Sequence, residues 1–159
     1  MSLTSLRADL GGQRLHLRHP TEGTPLFRDP GEGVDFSKLT DAEKQALAVT
    51  ITLLGKDSDI YKSAQRRAQA AFRETIQAGQ KWLPADDERM AEQQLVDCTV
   101  GWGNVPAGWV DLTDNEAPID FTKERARALF RNGEYGWVKD QVSRFIEDRA
   151  NFVKASSET

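Results

Sequence analysis

Val49-Thr50-Ile51-Thr52-Leu53-Leu54 is the stretch on which the fold turns. Val49, Ile51 and Leu53 alternate with Thr50 and Thr52, the period-two pattern of a strand with one apolar and one polar face. Its β-branched residues fit a pleated, half-buried surface. Gly55 follows, and then Lys56-Asp57-Ser58-Asp59 opens a long helix. Asp57 or Ser58 can accept a hydrogen bond from the first turn, and the acids sit at the positive end of the helix dipole. Ile60, Ala64, Ala68, Ala71, Phe72 and Ile76 then recur at helical spacing, and Gly79 is a natural stop.

Upstream, Gln13 to His19 reads Q-R-L-H-L-R-H. Leu15 and Leu17 share one face, while Arg14, His16 and Arg18 share the other, so a second strand is expected over 14–19. Pro20 ends it, because proline cannot donate to a ladder. The two strands are expected to pair antiparallel across a long connection. Its first part holds Pro20, Pro25, Pro30, Gly23, Gly31 and Gly33, which is turn chemistry. Thr40-x-x-Glu43 is a capping box and predicts a short helix over about 41–47.

Downstream, Pro84 with Asp86, Asp87 and Glu88 signals a helix start, with Leu95, Cys98 and Trp102 on its apolar stripe and Gly101, Gly103 and Pro106 ending it. Residues 103–118 hold turns around an apolar island of Trp109, Val110 and Leu112. Thr122 caps a short helix that turns Ala126, Leu129 and Phe130 inward, and Asn132-Gly133 breaks it. A last helix is expected from about 135 to 153. A two-stranded ribbon is marginal alone and must lie on helices. The expected class is therefore α+β: a small antiparallel two-stranded ribbon on a mainly helical body of about four to five helices. The expected organisation is a flexible start over 1–12, one domain over 13–153 and a polar tail over 154–159. Within the domain, 28–47 is an inserted connection and 103–118 a loop.

Composition bounds the function. The chain has 159 residues, 38% of them hydrophobic, with four Trp and seven Phe, enough to fill a core. Its net charge of −4 speaks against a protein that coats nucleic acid. It has neither a run of 18 apolar residues nor an apolar segment near its start, so a membrane span and a secretory leader are not expected and the default location is cytoplasmic. Cys98 is the only cysteine, which excludes an internal disulfide, and its place on an apolar stripe reads as a buried, inert thiol.

Few residues read as chemistry. His16 and His19 are three apart on a strand and point to opposite faces, so they do not share a metal. Asp57-x-Asp59 begins like a calcium loop, but Lys62 and Ala68 stand where that loop needs Gly and Glu. Gly101-Trp102-Gly103 follows a helix and lacks dinucleotide-loop spacing, so it reads as a helix stop and turn. No dense catalytic, metal or cofactor constellation emerges, and the expectation is a non-enzymatic protein without cofactor. Lys62, Arg66 and Arg73 fall on one face of the long helix, with Arg67 close by. They read as a solvated face or as a contact to an acidic protein partner. The last helix carries Trp137, Phe145 and Phe152, large side chains near a chain end. They are expected to pack the core on one side and border a partner groove on the other.

Several segments, taken in order, resemble the tail assembly chaperones of long-tailed phages and prophages. Val49-Thr-Ile-Thr-Leu-Leu-Gly55 with Lys56-Asp-Ser-Asp-Ile-Tyr-Lys-Ser-Ala-Gln-Arg66 is similar to their strand-to-helix entry. Leu95-Val-Asp-Cys-Thr-Val-Gly-Trp102 resembles the end of their middle helix. Phe121 to Phe130 and Trp137 to Phe152 resemble their closing helix pair. The connection at 28–47 and the Trp109 island depart from that pattern. The resemblance implies a chaperone that keeps the helical tape measure protein soluble while tail tube subunits polymerise around it. It also implies action in the host cytoplasm and absence from the mature virion. Avidity along the client's repeats, or self-association of the chaperone, would strengthen a weak single contact. It carries over no catalytic residue. The rivals are a structural tail or head-completion protein retained in the virion, and a nucleic-acid module using the basic stripe.

Overall fold

The structure, a computed structural model, describes residues 3–153. The paired strands form as their alternation requires. β1 (Gln13–His16) runs antiparallel to β2 (Thr50–Leu53), with Leu15 opposite Ile51 and His16 opposite Thr50. Between them lies α1 (Asp41–Ala46), started by the reciprocal hydrogen bonds of Thr40 and Glu43. After β2 come α2 (Asp59–Gln77) and α3 (Pro84–Cys98).

The sheet has three strands, not two, which corrects the expected ribbon. β3 (Thr99–Gly103) follows α3 directly and pairs antiparallel with β2, giving the order β1-β2-β3. The predicted third helix therefore stops at Cys98 and does not reach Trp102. Gly101-Trp102-Gly103 is an edge strand where a helix stop and turn was expected. Three anchors explain it. Thr99 Oγ1 donates to Leu95 O at 2.7 Å and closes the helix, Trp102 lies opposite Ile51, and the Trp102 indole donates to Ile119 O at 2.8 Å.

α4 (Gly108–Asp111), α5 (Lys123–Arg131) and α6 (Gly136–Glu147) complete six helices among the described residues. α3, α5 and α6 touch the sheet. The core joins Leu17, Ile51 and Leu53 to Val96, Leu129, Val138, Val142 and Ile146, all nearly without solvent contact. Thr50 and Thr52 point the other way and stay half exposed, so helices and sheet occupy separate layers, as in an α+β fold.

The last helix is shorter than expected. It ends at Glu147, where Asp148 accepts from Ala150 N at 3.0 Å and starts a separate 3-10 turn over Arg149–Phe152. Asn151 donates to Phe145 O at 3.1 Å and seals the break. The segment before β1 lies against the end of the described chain. Leu3–Leu6 form a 3-10 turn, Ala8 bridges Val153, and Asp9 N donates to Phe152 O. Met1-Ser2 and the expected tail at 154–159 lie outside the described residues. No described helix is long and apolar enough to cross a membrane.

Candidate partner-binding surface

α2 and α3 form an antiparallel hairpin, and sequence chemistry sets both of its ends. Ser58 Oγ accepts from Tyr61 N at 3.2 Å and donates to Gly55 O at 2.7 Å. At the far end Gly79 adopts a φ of +75°, and Gly79 N and Gln80 N return to Ile76 O and Thr75 O. These are the two bonds of a Schellman cap. Pro84 then occupies the first turn of α3, where its missing N–H costs nothing, and Asp86 accepts from Leu83 N at 2.9 Å. The helices meet through small side chains of α2, with Ala64 buried, and through Arg67–Asp97 at 2.7 Å.

Apolar spacing puts Phe72 and Ile76 in the same helical series as Ala64. The structure leaves them 46% and 51% exposed, with Ile60 at 45% and Leu83 at 54%. The Trp82 ring stands edge-on to Phe72, 5.4 Å between centroids, and its indole donates to Asp87 at 2.6 Å. Phe72, Ile76 and Leu83 therefore leave apolar surface open toward the tip of the hairpin, with Trp82 packed on Phe72. An exposed apolar cluster of this kind marks an interaction surface more often than an isolated exposed side chain does.

Lys62, Arg66 and Arg73 lie exposed along the same helix, about one, two and four turns from its start. Among the described residues none of the three forms an ion pair; Arg66 donates only to Ser63 Oγ at 3.2 Å. α2 carries four basic and two acidic side chains in a chain whose net charge is −4. The patch thus has a cationic flank. Such a face can bury an apolar stripe of a partner helix while the flank meets carboxylates.

The C-terminal aromatics stand elsewhere and differ among themselves. Phe152 is only 3% exposed and packs edge-on against Phe145 at 5.3 Å, so it serves the core. Phe145 is half-buried. Trp137, also half-buried, belongs to a separate aromatic group with Trp109 at 5.4 Å, and Trp109 stacks on Tyr135 at 5.1 Å. The structure therefore does not join these three aromatics to Lys62, Arg66 and Arg73. Trp82 and Leu83 were missed by sequence reasoning. The signal available was a tryptophan placed just after a helix-stopping glycine.

The remaining chemistry-bearing groups have structural tasks. His16 donates its Nε2–H to Leu26 O at 2.7 Å, and His19 Nδ1 accepts from Glu22 N at 3.1 Å. Cys98 is fully buried; burial first, then the neighbouring Asp97 charge, push its thiol up to about 12. A thiol that stays protonated is a poor nucleophile. No protein-family model matches the chain, and no curated protein or solved structure matches it.

Proposed function

We propose that this chain is a non-enzymatic tail assembly chaperone of a long-tailed phage or prophage. It holds the tape measure protein soluble in the host cytoplasm and helps recruit tail tube subunits. The observation that carries the reading is the patch of Phe72, Ile76, Trp82 and Leu83 beside the free cations of α2. The ordered resemblance of the strand-to-helix entry and of the closing helices supports it.

The physics suits the task. A tape measure protein presents repeated apolar stripes, which aggregate when left bare. A helix laid on the hairpin covers one stripe. Each contact must yield to tube subunits, which points to about micromolar affinity, near −8 kcal/mol. Several copies along one client supply the remaining hold through effective concentration. Docking is assigned here to the α2–α3 tip and not to Phe152, whose burial leaves it no free face.

Co-expression with the tape measure protein of the same genome tests the proposal. The client should stay in the soluble fraction with the wild-type chain. It should move to the pellet with a Phe72→Asp, Ile76→Asp double variant whose circular dichroism is unchanged. A client equally soluble with both variants would contradict the assignment, and a client insoluble with both would contradict the chaperone reading. Stoichiometric presence of the chain in purified virions would favour the rival, a retained structural protein.

A further inference from the structure

β1 is an edge strand whose outer side is prepared for another strand. In an antiparallel ladder the N–H and C=O of one residue point the same way, and successive residues alternate. Leu17 spends both of its groups inward, donating to Val49 O and accepting from Leu26 N. Arg18 points both of its groups outward. The Gln141 carboxamide takes them, with Arg18 N donating to Oε1 at 2.9 Å and Nε2 donating to Arg18 O at 2.8 Å. That side chain does what the opposite residue of a neighbouring strand does. By the same alternation Arg14 and His16 turn their backbone groups outward, and among the described residues no group takes them.

A groove of about 410 Å³ runs along this edge, walled by Gln141, Arg144 and Phe145 of α6 and by Asp148 just after it. The two faces of the edge differ in chemistry. Arg14 and His16 lie opposite Thr52 and Thr50 on the outer face of the sheet, and Arg18 continues the row. Leu15 lies opposite Ile51 on the core face, and both Leu15 and Phe145 line the groove. The Asp148 carboxylate is already engaged, accepting from Ala150 N.

We infer that the free edge of β1 binds an extended acidic segment of a partner protein by strand addition, with carboxylates beside Arg14 and His16 and an apolar side chain between them seated against Leu15 and Phe145. Gln141 ends the added ladder at Arg18. Main-chain bonds to Arg14 and His16 supply sequence-tolerant hold, and the alternate side chains supply selection. A second copy of this chain is the wrong occupant. Two β1 edges paired antiparallel with Arg14 of one opposite His16 of the other would set each Arg14 diagonally beside Arg14 and Arg18 of the other copy on one face, and like charges that close destabilise a pair. Basic residues on an edge block self-pairing, and here the same row selects an acidic strand. This site is separate from the α2 patch, so each can fail without the other.

Titration with a capped pentapeptide alternating glutamate and valine, followed by backbone amide NMR shifts, tests the inference. Binding should weaken with salt and shift the amides of Gln13–Arg18 and of Gln141–Asp148. Arg14→Glu should weaken it at least tenfold, and the matching lysine–valine peptide should bind that variant better than the wild type. A peptide N-methylated on the backbone, with its charges intact, should lose binding. Retained binding of the N-methylated peptide, equal binding of the acidic and basic peptides, or shifts confined to α2 would overturn the inference. So would sedimentation showing that wild-type chains pair with each other through this edge.

Discussion

The ring of Phe152 fills the space that a side chain on Gly55 would need. A Cβ built on Gly55 would lie 2.6 Å from Phe152 Cγ and 2.7 Å from Cδ2. The junction between β2 and α2 is thereby closed by the last turn of the described chain. Arg149 fastens the same corner through Asp57 at 3.0 Å, and that guanidinium holds the Asp57 carboxyl below its usual range. Gly55→Ala should cost about 1–3 kcal/mol through overpacking. Phe152→Ala should cost about 3–5 kcal/mol through the cavity it leaves. Because the two groups touch, the double variant should cost less than the sum. Urea denaturation of the four proteins of the cycle measures the coupling.

Asn104 has a φ of +58°, and its Nδ2 donates to Ala46 O and Ala48 O, both at 2.9 Å. It ties the turn after β3 to the end of α1. Asn104→Gly should cost about 1–3 kcal/mol, since two backbone carbonyls lose this donor while the left-handed backbone remains comfortable. Asn104→Ala should cost about 1 kcal/mol more, because alanine also carries the strain of that conformation. Thermal unfolding of the two variants gives the order directly.

Lys123 Nζ donates to Thr99 O at 2.5 Å and to Val96 O and Asp97 O at 3.0 Å. It satisfies carbonyls that the end of α3 leaves open as the chain turns into β3. Lys123→Met should cost about 1–3 kcal/mol, the usual result of stripping buried acceptors of their partner. Hydrogen exchange should quicken in β3 and the last turn of α3 in that variant, and stay unchanged in α1.

Stability should fall on the alkaline side. Burial, reinforced by the hydrogen bond to Glu147 at 2.7 Å, pushes Tyr61 up to about 12, and burial lifts Cys98 from a lower start to about 12 as well. Both groups stay neutral when folded, while the unfolded chain ionises first, around their ordinary values of 10.0 and 9.0. Their contribution is therefore complete below pH 9 and is lost as pH climbs toward 12. Urea midpoints measured across that range should drop for the wild type and drop less for Tyr61→Phe and for Cys98→Ala. Ellman's reagent should leave the native thiol untouched at pH 8 and react once the chain is unfolded.

The local signals were legible wherever one rule acted alone. Alternation gave the β1–β2 pair, the Thr40–Glu43 box gave α1, and Ser58 with Gly79 bounded α2. β3 was not legible, because its pairing rests on backbone contact with β2 while Gly101 and Gly103 weaken its own propensity. The end of α6 was missed because the apolar spacing runs on past Asp148, which turns the chain by capping a new turn. The candidate surface was legible only in its cations. Periodicity says which residues share a face but not what covers it, so the helical spacing of Phe72 and Ile76 could not show their exposure.

Hydroxyl-radical footprinting of the chain, alone and bound to the tape measure protein, tests the central claim most directly. Phe72, Ile76, Trp82 and Leu83 should each lose most of their labelling on binding, while Trp109 and Trp137 keep theirs. Unchanged labelling at the α2–α3 tip in a complex that demonstrably forms would contradict the claim.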